Sequence, residues 1–170
     1  MKQKILILIL TLFYLSVYSQ KTAQDYVDKG VAAFKSGDYN VAVEYFNKAI
    51  ELNPAADAAY YNRAIIKSKL GNYKGAIQDY TKSMELNREY ASATTYYNRG
   101  FNKGKLLDYK GALQDYNKAI ELNPSYAYAY YNRGLAKYNL GDQKEACLDW
   151  KKAQELGDTS AGELIRNYCN

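Results

Sequence analysis

The chain has 170 residues, with 23 Lys and Arg against 18 Asp and Glu, and it contains no His. The absence of His removes the commonest general base and the commonest metal ligand of proteins. The net charge is +5, or +3 without Lys2 and Lys4 near the start of the chain, and with interspersed signs this is too mild to indicate nucleic acid as a partner.

Residues 1–19 are predicted to be a secretory signal peptide. Lys2 and Lys4 give a positive start, and an almost wholly apolar run follows over residues 5–18. Residues 17–19 place small or modest side chains where a signal peptidase reads, so we expect cleavage before Gln20 and export to the periplasm or the medium. The run is short for a membrane span, so we expect no stable membrane insertion after cleavage. An uncleaved anchor is the alternative.

From residue 23 onward one pattern occurs four times. Two sets of small residues recur along the chain with the same spacings, and the middle spacing of each set is slightly longer than the other two. Two independent sets with matching spacings predict a tandem repeat, and a period of about 34 residues is typical of a solenoid. A solenoid presents an extended surface, so its default function is binding. The first series is Gly30, Ala64, Gly100 and Gly134, and the second is Ala42, Ala76, Ala112 and Ala146.

Each repeat is predicted to be a pair of helices joined by a short turn. In the second repeat Gly71 suits the left-handed position that ends a helix, and Asn72 suits the N-cap of the next helix. Leu107 stands at the equivalent turn position of the third repeat, where a left-handed conformation would cost about 1 kcal/mol. Ala91 and Ser92 are two extra residues between the second and third repeats, so we expect that junction to be the least regular.

The four units resemble tetratricopeptide repeats, most clearly at residues 119–124 and 130–134. The resemblance covers the chain from residue 23 to residue 160, with units at 23–56, 57–90, 93–126 and 127–160, inside a domain of residues 20–170. It implies an all-α fold, a right-handed α-solenoid of four helix-turn-helix repeats. It also implies a concave groove lined by the first helix of each pair.

The end of the chain is predicted to be a capping helix over residues 160–169. Ser160 and Glu163 have the spacing of a capping box, and an apolar stripe follows them. Cys147 is predicted to face this helix from the last repeat, and Cys169 directly follows the stripe. We therefore predict a disulfide between the two cysteines, with two buried free thiols as the alternative.

The candidate ligand groove is a row of aromatic and aliphatic side chains on the first helices. Tyr61, Tyr97 and Tyr131 each follow a predicted core tyrosine by one residue and are turned about 100° from it. By family resemblance that direction is the groove, and the side chains one turn later share it. Packing between neighbouring first helices is the alternative. The complete predicted set is Tyr61, Ile65, Tyr97, Phe101, Tyr128, Tyr131, Leu135 and Tyr138.

The basic residues form regular rows that admit two interpretations. Arg63, Arg99 and Arg133 are each followed, at one constant spacing, by an aspartate of the same unit, at Asp79, Asp115 and Asp149. This spacing favours a structural Arg–Asp pair in each unit over a ligand site. The lysines are expected to stay free to supply a basic rim, but the pattern favours a solvated face over a ligand site. The rim comprises Lys67, Lys69, Lys103, Lys105 and Lys137.

The sequence contains no catalytic constellation, no phosphate-binding loop and no metal-spaced Cys or His cluster, so we expect no enzyme, no cofactor and no metal. The expected function is a non-catalytic scaffold that binds a protein or an extended peptide in the groove. The alternative is an anionic polymer, such as a cell-surface polysaccharide, held by the lysine rows. One subclass of the family grips chaperone C-termini with a clamp of basic residues and Asn. Of that clamp only Asn62 is present, so this mechanism is rejected.

Overall fold

The computed structural model describes the backbone of residues 2–169 and, before Lys21, the side chains of residues 5–7, 9–11 and 13. Over this range the chain forms nine α-helices and one short 3-10 turn, Arg88–Tyr90, and no strand. The predicted all-α class is therefore confirmed. The helices are α1 Lys2–Ser36, α2 Tyr39–Leu52, α3 Asp57–Lys69, α4 Tyr73–Leu86, α5 Ala93–Lys105, α6 Tyr109–Leu122, α7 Ala127–Asn139, α8 Gln143–Glu155 and α9 Ala161–Tyr168.

The helices pack in sequence order, each against its neighbours along the chain. Helices α1 and α2, α3 and α4, α5 and α6, and α7 and α8 form the four hairpins, and each second helix packs on the first helix of the next hairpin. Helix α9 packs on α8, the second helix of the last hairpin. This is the predicted solenoid of four repeats with a capping helix. Its first helices lie side by side, with direct contacts of α1 with α3 and of α5 with α7.

The N-terminal segment is part of the first helix. Helix α1 is 35 residues long and continues through the expected cleavage site before Gln20. Its apolar side chains at Ile5, Ile7 and Phe13 are more than half exposed. Over the part of the chain that the structure describes, no helix combines the length and hydropathy that a membrane crossing needs. Met1 and the side chains of residues 14–20 lie outside the described residues, and the signal peptide stays a prediction.

The core of each repeat is one large aromatic side chain placed against one small residue. Phe46, Tyr80, Tyr116 and Trp150 occupy equivalent positions on the second helices and are at most 3% exposed. A Cβ atom built on Gly134 would lie 2.5 Å from Nε1 of Trp150, and one built on Gly30 would lie 2.6 Å from Cε1 of Phe46. The recurring small residue therefore lets the two helices of a hairpin approach until the aromatic ring fills the space between them.

The turns between paired helices follow one geometry in all four repeats. The turn glycines at positions 37, 71 and 141 have φ values of 89°, 79° and 90°. Leu107 has a φ of 63°, the only positive value for a non-glycine residue in the described range. The predicted left-handed leucine is therefore confirmed. A β-carbon is strained in this conformation, and the surrounding turn imposes it here.

The predicted irregularity between the second and third repeats takes an ordered form. The chain after α4 makes the 3-10 turn at Arg88–Tyr90, and Ser92 then accepts a hydrogen bond from the backbone N–H of Thr95 at 3.3 Å. The two extra residues thus create a side-chain N-cap for α5, which the first and last junctions do without.

Candidate peptide-binding groove

Two equivalent clefts lie between successive first helices. The cleft between α3 and α5 has a volume of about 230 Å³ and is lined by Ile65, Tyr97 and Phe101, with Ser68 and Asn98 as polar neighbours. The cleft between α5 and α7 has a volume of about 180 Å³, and its lining includes Phe101, Leu135, Asn132 and Asn139. Four of the predicted groove residues therefore line these clefts, and the Phe101 ring borders both.

The three groove tyrosines are more deeply packed than the sequence suggested. Tyr61 and Tyr97 contact the buried aromatic rings of their own repeats, with ring centroids 6.0 Å apart in both cases. Tyr131 packs on the cluster around Trp150, whose indole N–H donates to the Tyr131 carbonyl oxygen at 3.2 Å. Each of the three is half-buried, so each combines packing with a face that remains accessible.

The predicted core neighbours of these tyrosines, Tyr60, Tyr96 and Tyr130, are also half-buried. Their rings lie under the guanidinium groups of the arginines three residues later, with distances from Cζ to the ring centroid of 5.3–5.5 Å. These three tyrosines were predicted to be core residues, and each packs beneath an arginine without being fully buried.

Each predicted Arg–Asp pair is confirmed as a bidentate ion pair. The Arg99 guanidinium donates to both carboxylate oxygens of Asp115, at 2.9 and 2.6 Å. Arg63 and Arg133 bind their aspartates in the same way, at 2.6–2.8 Å. The Asp115 side chain is only 3% exposed, so the pair is a buried charge that two planar groups satisfy in matched geometry.

The arginines also connect neighbouring repeats, which the sequence analysis missed. Nη1 of Arg63 donates to Oδ1 of Asn47 at 2.6 Å, and Nη1 of Arg133 donates to Oδ1 of Asn117 at 2.7 Å. Each acceptor lies on the second helix of the preceding repeat. The signal was present in the sequence, because each acceptor precedes its arginine by the same interval that separates the arginine from its aspartate.

Three lysines of the expected basic rim belong to the same network. Lys67, Lys103 and Lys137 approach the second oxygen of the repeat aspartate at 2.8–2.9 Å, and their side chains are about one-fifth exposed. The expectation that these lysines are free is wrong, since each aspartate holds two cations. Lys69 and Lys105 are exposed, and Nζ of Lys105 lies 5.1 Å from the Phe101 ring centroid.

The capping helix covers the last repeat. The Sγ atoms of Cys147 and Cys169 are 2.12 Å apart, which places the predicted pair at disulfide distance. The Tyr168 ring lies 4.8 Å from that of Tyr138. Tyr138 was expected in the groove, but it belongs to the contact between the last repeat and the cap, since Tyr168 and Trp150 both adjoin it.

The start of the cap differs from the predicted capping box. Ser160 has helical backbone angles and accepts no capping hydrogen bond. Its hydroxyl donates instead to Oδ1 of Asp158, which also accepts the Ser160 backbone N–H at 3.0 Å. The helix begins at Ala161, directly after Ser160, and the serine hydroxyl is engaged by Asp158 rather than by the helix N-terminus.

Two further tyrosines, which the sequence did not single out, contact the predicted groove tyrosines. The Tyr90 ring packs at a tilt against that of Tyr61, with centroids 4.8 Å apart, and the Tyr126 ring packs in the same way against that of Tyr97 at 5.0 Å. Both follow their partner at the same interval along the chain, and that repeated interval could have revealed them. Burial raises the pKa of Tyr97 to about 12, and the neighbouring Tyr126, Tyr128 and Asp158 contribute to the rise. The Asn132 side-chain amide donates to the Tyr97 hydroxyl at 3.2 Å.

Over the described residues, no three His, Cys, Asp or Glu side chains are grouped as ligands of a metal ion would be. The arrangement presents two tilted tyrosine pairs, two clefts with apolar walls, and amide side chains beside the clefts. Such a surface can make both apolar contacts and hydrogen bonds with a ligand.

Comparison with known families gives three matches along the chain. A tetratricopeptide repeat model matches residues 27–91, a second model described as a TPR repeat matches residues 108–141, and a third tetratricopeptide repeat model matches residues 127–156. A protein of Methanocaldococcus jannaschii is 51% identical over 45 residues, which are 26% of this chain. The match spans about half, 52%, of that relative's own length.

Solved structures with the same arrangement of helices include proteins described as peptide-binding. YrrB, described as a TPR protein with an unusual peptide-binding site, has 25% identity and a TM-score of 0.72, covering 80% of this chain and 70% of its own. The first TPR domain of Spaghetti (RPAP3), solved with the HSP90 peptide SRMEEVD, has 26% identity and a TM-score of 0.65, covering 72% and 95%.

Proposed function

The chain belongs to the tetratricopeptide repeat family, and on that premise we propose that its concave groove binds an extended segment of another protein. As a tetratricopeptide repeat protein it is a protein-interaction module, and proteins of this kind are generally non-catalytic scaffolds. YrrB and the RPAP3 domain are similar modules whose descriptions name peptides. We propose in addition that the residues lining the two clefts contact the bound segment.

The repetition of one cleft carries the proposal. The two clefts are equivalent in position, and Phe101 forms a wall of each. An extended chain advances about 3.3 Å per residue, so its alternate side chains are regularly spaced and suit a row of similar clefts. Asn98 and Asn132 lie beside the clefts, where an amide group has both a donor and an acceptor for a peptide backbone.

Two alternatives are less well supported by the contacts. Binding of an anionic polymer needs free lysines, and Lys67, Lys103 and Lys137 are paired with buried aspartates. Binding of a chaperone tail through the basic clamp needs side chains that Val27 and Thr94 do not supply. The apolar clefts therefore point to contacts with side chains of the partner, rather than to capture of a terminal carboxylate.

Site-specific crosslinking in the native host tests the proposal. A photoreactive phenylalanine analogue placed at Ser68, in the first cleft, should crosslink a partner, and Phe101→Ala should reduce the yield about tenfold. The same analogue placed at Lys151, exposed on α8, is the positional control, and Leu148→Ala removes an apolar side chain that is 53% exposed away from the clefts. Equal crosslinking yields from Ser68 with and without Phe101→Ala would contradict groove binding.

We also propose that the protein is exported before it binds this partner. The basic start and apolar run of residues 1–19 support export, and the paired cysteines suit an oxidising compartment. N-terminal sequencing of protein from the native host should give a chain beginning at or near Gln20. Membrane-bound protein that keeps Met1 would instead support the uncleaved anchor.

A further inference from the structure

Each of the two clefts has an exposed lysine in its lining. In the cleft between α3 and α5 this lysine is Lys69, which follows Ile65 by one helical turn. In the cleft between α5 and α7 it is Lys105, which follows Phe101 by the same interval. Side chains one turn apart lie on the same face of a helix, so each cleft has a cation beside an apolar wall. We call Lys69 and Lys105 the cleft lysines.

The ammonium group of Lys105 lies at the wall that the two clefts share. Its Nζ is 5.1 Å from the ring centroid of Phe101, which borders both clefts. The nearest acidic residue along the chain, Asp108, is the N-cap of α6, and its Oδ1 accepts the backbone N–H of Gly111 at 2.9 Å. The ring contact leaves the positive charge of Lys105 without a counter-ion.

The clefts have a positive charge and no negative one among the residues that the structure describes. Neither cleft lysine takes part in an ion pair there, in contrast to Lys67 and Lys103, which bind the repeat aspartates. The described lining of both clefts contains no Asp or Glu, and its other polar groups are neutral hydroxyls and amides. The surface is therefore complementary to a ligand that is both apolar and acidic.

The same pair of residue types occurs in the first repeat but not in the last. Val31 is followed one turn later by Lys35, whose side chain is exposed. In the last repeat Leu135 is followed by Asn139, which is neutral. The apolar position thus recurs in all four repeats, whereas the positive charge is confined to the first three.

We propose that the groove selects a protein segment in which an apolar side chain is followed, two residues later, by Asp or Glu. In an extended chain such side chains share a face and are about 7 Å apart. Side chains one turn apart on a helix are separated by about 5–6 Å, so the apolar group enters a cleft while the carboxylate meets a cleft lysine. This inference rests on the proposed groove function and adds the chemistry of the ligand.

A pair of synthetic peptides isolates the charge. The first is acetyl-Gly-Ser-Leu-Ser-Glu-Ser-Leu-Ser-Glu-Gly-amide, and the second has Gln in place of both Glu residues. Both lack a terminal carboxylate, so only the side chains differ. Binding is followed by NMR shifts of the backbone amides around the clefts. At about 20 mM salt the Glu peptide should bind about fivefold more tightly than the Gln peptide, and the ratio should approach one at about 0.5 M salt.

Two double variants with the same change in net charge test the assignment of residues. Lys69→Gln combined with Lys105→Gln should bring the ratio of the two affinities close to one. Lys74→Gln combined with Lys110→Gln is the matched control, and it should leave the ratio about fivefold. Lys74 and Lys110 are exposed at equivalent positions of α4 and α6, outside the lining of the two clefts. Circular dichroism checks that both variants are folded.

Three results would overturn the acidic assignment. They are no binding of the Glu peptide, equal binding of the two peptides to the wild type, and an equal loss of selectivity in the two double variants, which would report net charge alone. The crosslink from Ser68 is measured independently of these peptides. A crosslink that depends on Phe101, without selectivity for the Glu peptide, would leave groove binding intact and reject only the role of the cleft lysines.

Discussion

Each of the last three repeats buries one aspartate, and the cationic side chains around it compensate the cost of burying its charge. Asp115 is almost fully buried, and it binds Arg99 through two hydrogen bonds and Lys103 through an ion pair at 2.8 Å. The same arrangement recurs at Asp79 and Asp149. Because the arginine also reaches the preceding repeat, one carboxylate supports both the hairpin and its stacking.

Replacing Asp115 with Ala should therefore be strongly destabilising. The change leaves two cations partly buried without their counter-ion, and breaking a buried pair in this way costs about 3–5 kcal/mol. Chemical denaturation followed by circular dichroism measures the loss. Glu121→Ala is the matched control, since Glu121 pairs with Lys118 on the surface at 2.6 Å and solvent screens such exposed pairs. An equal decrease in the free energy of unfolding in the two variants would show that the buried network stabilises the fold no more than an exposed ion pair does.

Leu107 adopts the left-handed backbone conformation that its turn requires, although leucine disfavours that conformation. Its side chain is 70% exposed and its φ is 63°, so it gains little from burial while it adopts a strained backbone. Leu107→Gly should raise the free energy of unfolding by about 1 kcal/mol. Leu106→Gly, at a neighbouring residue with φ of −91°, should lower it instead. A destabilised Leu107→Gly variant would mean that the exposed side chain contributes more than the strain costs.

At the scale of elements, the capping helix is the part that depends most on covalent support. Helix α9 has eight residues and packs on α8, at the open end of the array. The Cys147–Cys169 pair has a sequence separation of 22, and closing a loop of this size contributes roughly 3 kcal/mol. In a linear array this contribution acts on the last repeat first, since each repeat contacts only its neighbours.

Reduction should therefore release the cap before the rest of the solenoid unfolds. Trp150 is the single tryptophan of the chain, and its ring lies 6.1 Å from that of Tyr168 in the cap. Its fluorescence should change in the Cys147→Ser variant under conditions in which circular dichroism still reports most of the helix. Thiol titration of natively exported, denatured protein should find no free thiol. Two titratable thiols would contradict the disulfide in the native protein.

Over the whole molecule, the buried tyrosines link stability to alkaline pH. Burial raises the pKa values of Tyr80, Tyr97 and Tyr116, that of Tyr97 to about 12. The folded state thus holds phenolic protons that the unfolded chain releases near pH 10. The associated stability is fully present below about pH 10, and for Tyr97 it is lost as the pH rises to about 12.

Denaturation at a series of pH values should show this loss directly. The free energy of unfolding should fall steeply above about pH 10, and Tyr97→Phe should make the fall shallower because one titrating group is removed. Tyr128→Phe is the control, since Tyr128 is 60% exposed. A fall of the same slope in wild type and Tyr97→Phe would show that Tyr97 titrates alike in the folded and unfolded states.

The repeats could be recognised from the sequence because the same contacts within a helix pair require the same residue types in every repeat. The turn glycines, the left-handed Leu107 and the opposition of small and aromatic residues all follow from contacts within one hairpin. The Arg–Asp pairs were also readable, since three copies repeat one spacing. Fold class and family could therefore be predicted from the sequence. The signal peptide and export follow from sequence alone and stay predictions.

Only the tertiary structure decided which surfaces remain available. Lys67, Lys103 and Lys137 looked free, but each aspartate is deep enough to hold two cations, and sequence spacing does not report depth. Tyr138 looked like a groove residue until the cap placed Tyr168 against it. Tyr90 and Tyr126 contact Tyr61 and Tyr97 because the end of each repeat returns to its own first helix. All of these contacts join residues that are distant along the chain, so they depend on how the helices pack together rather than on any one stretch of sequence.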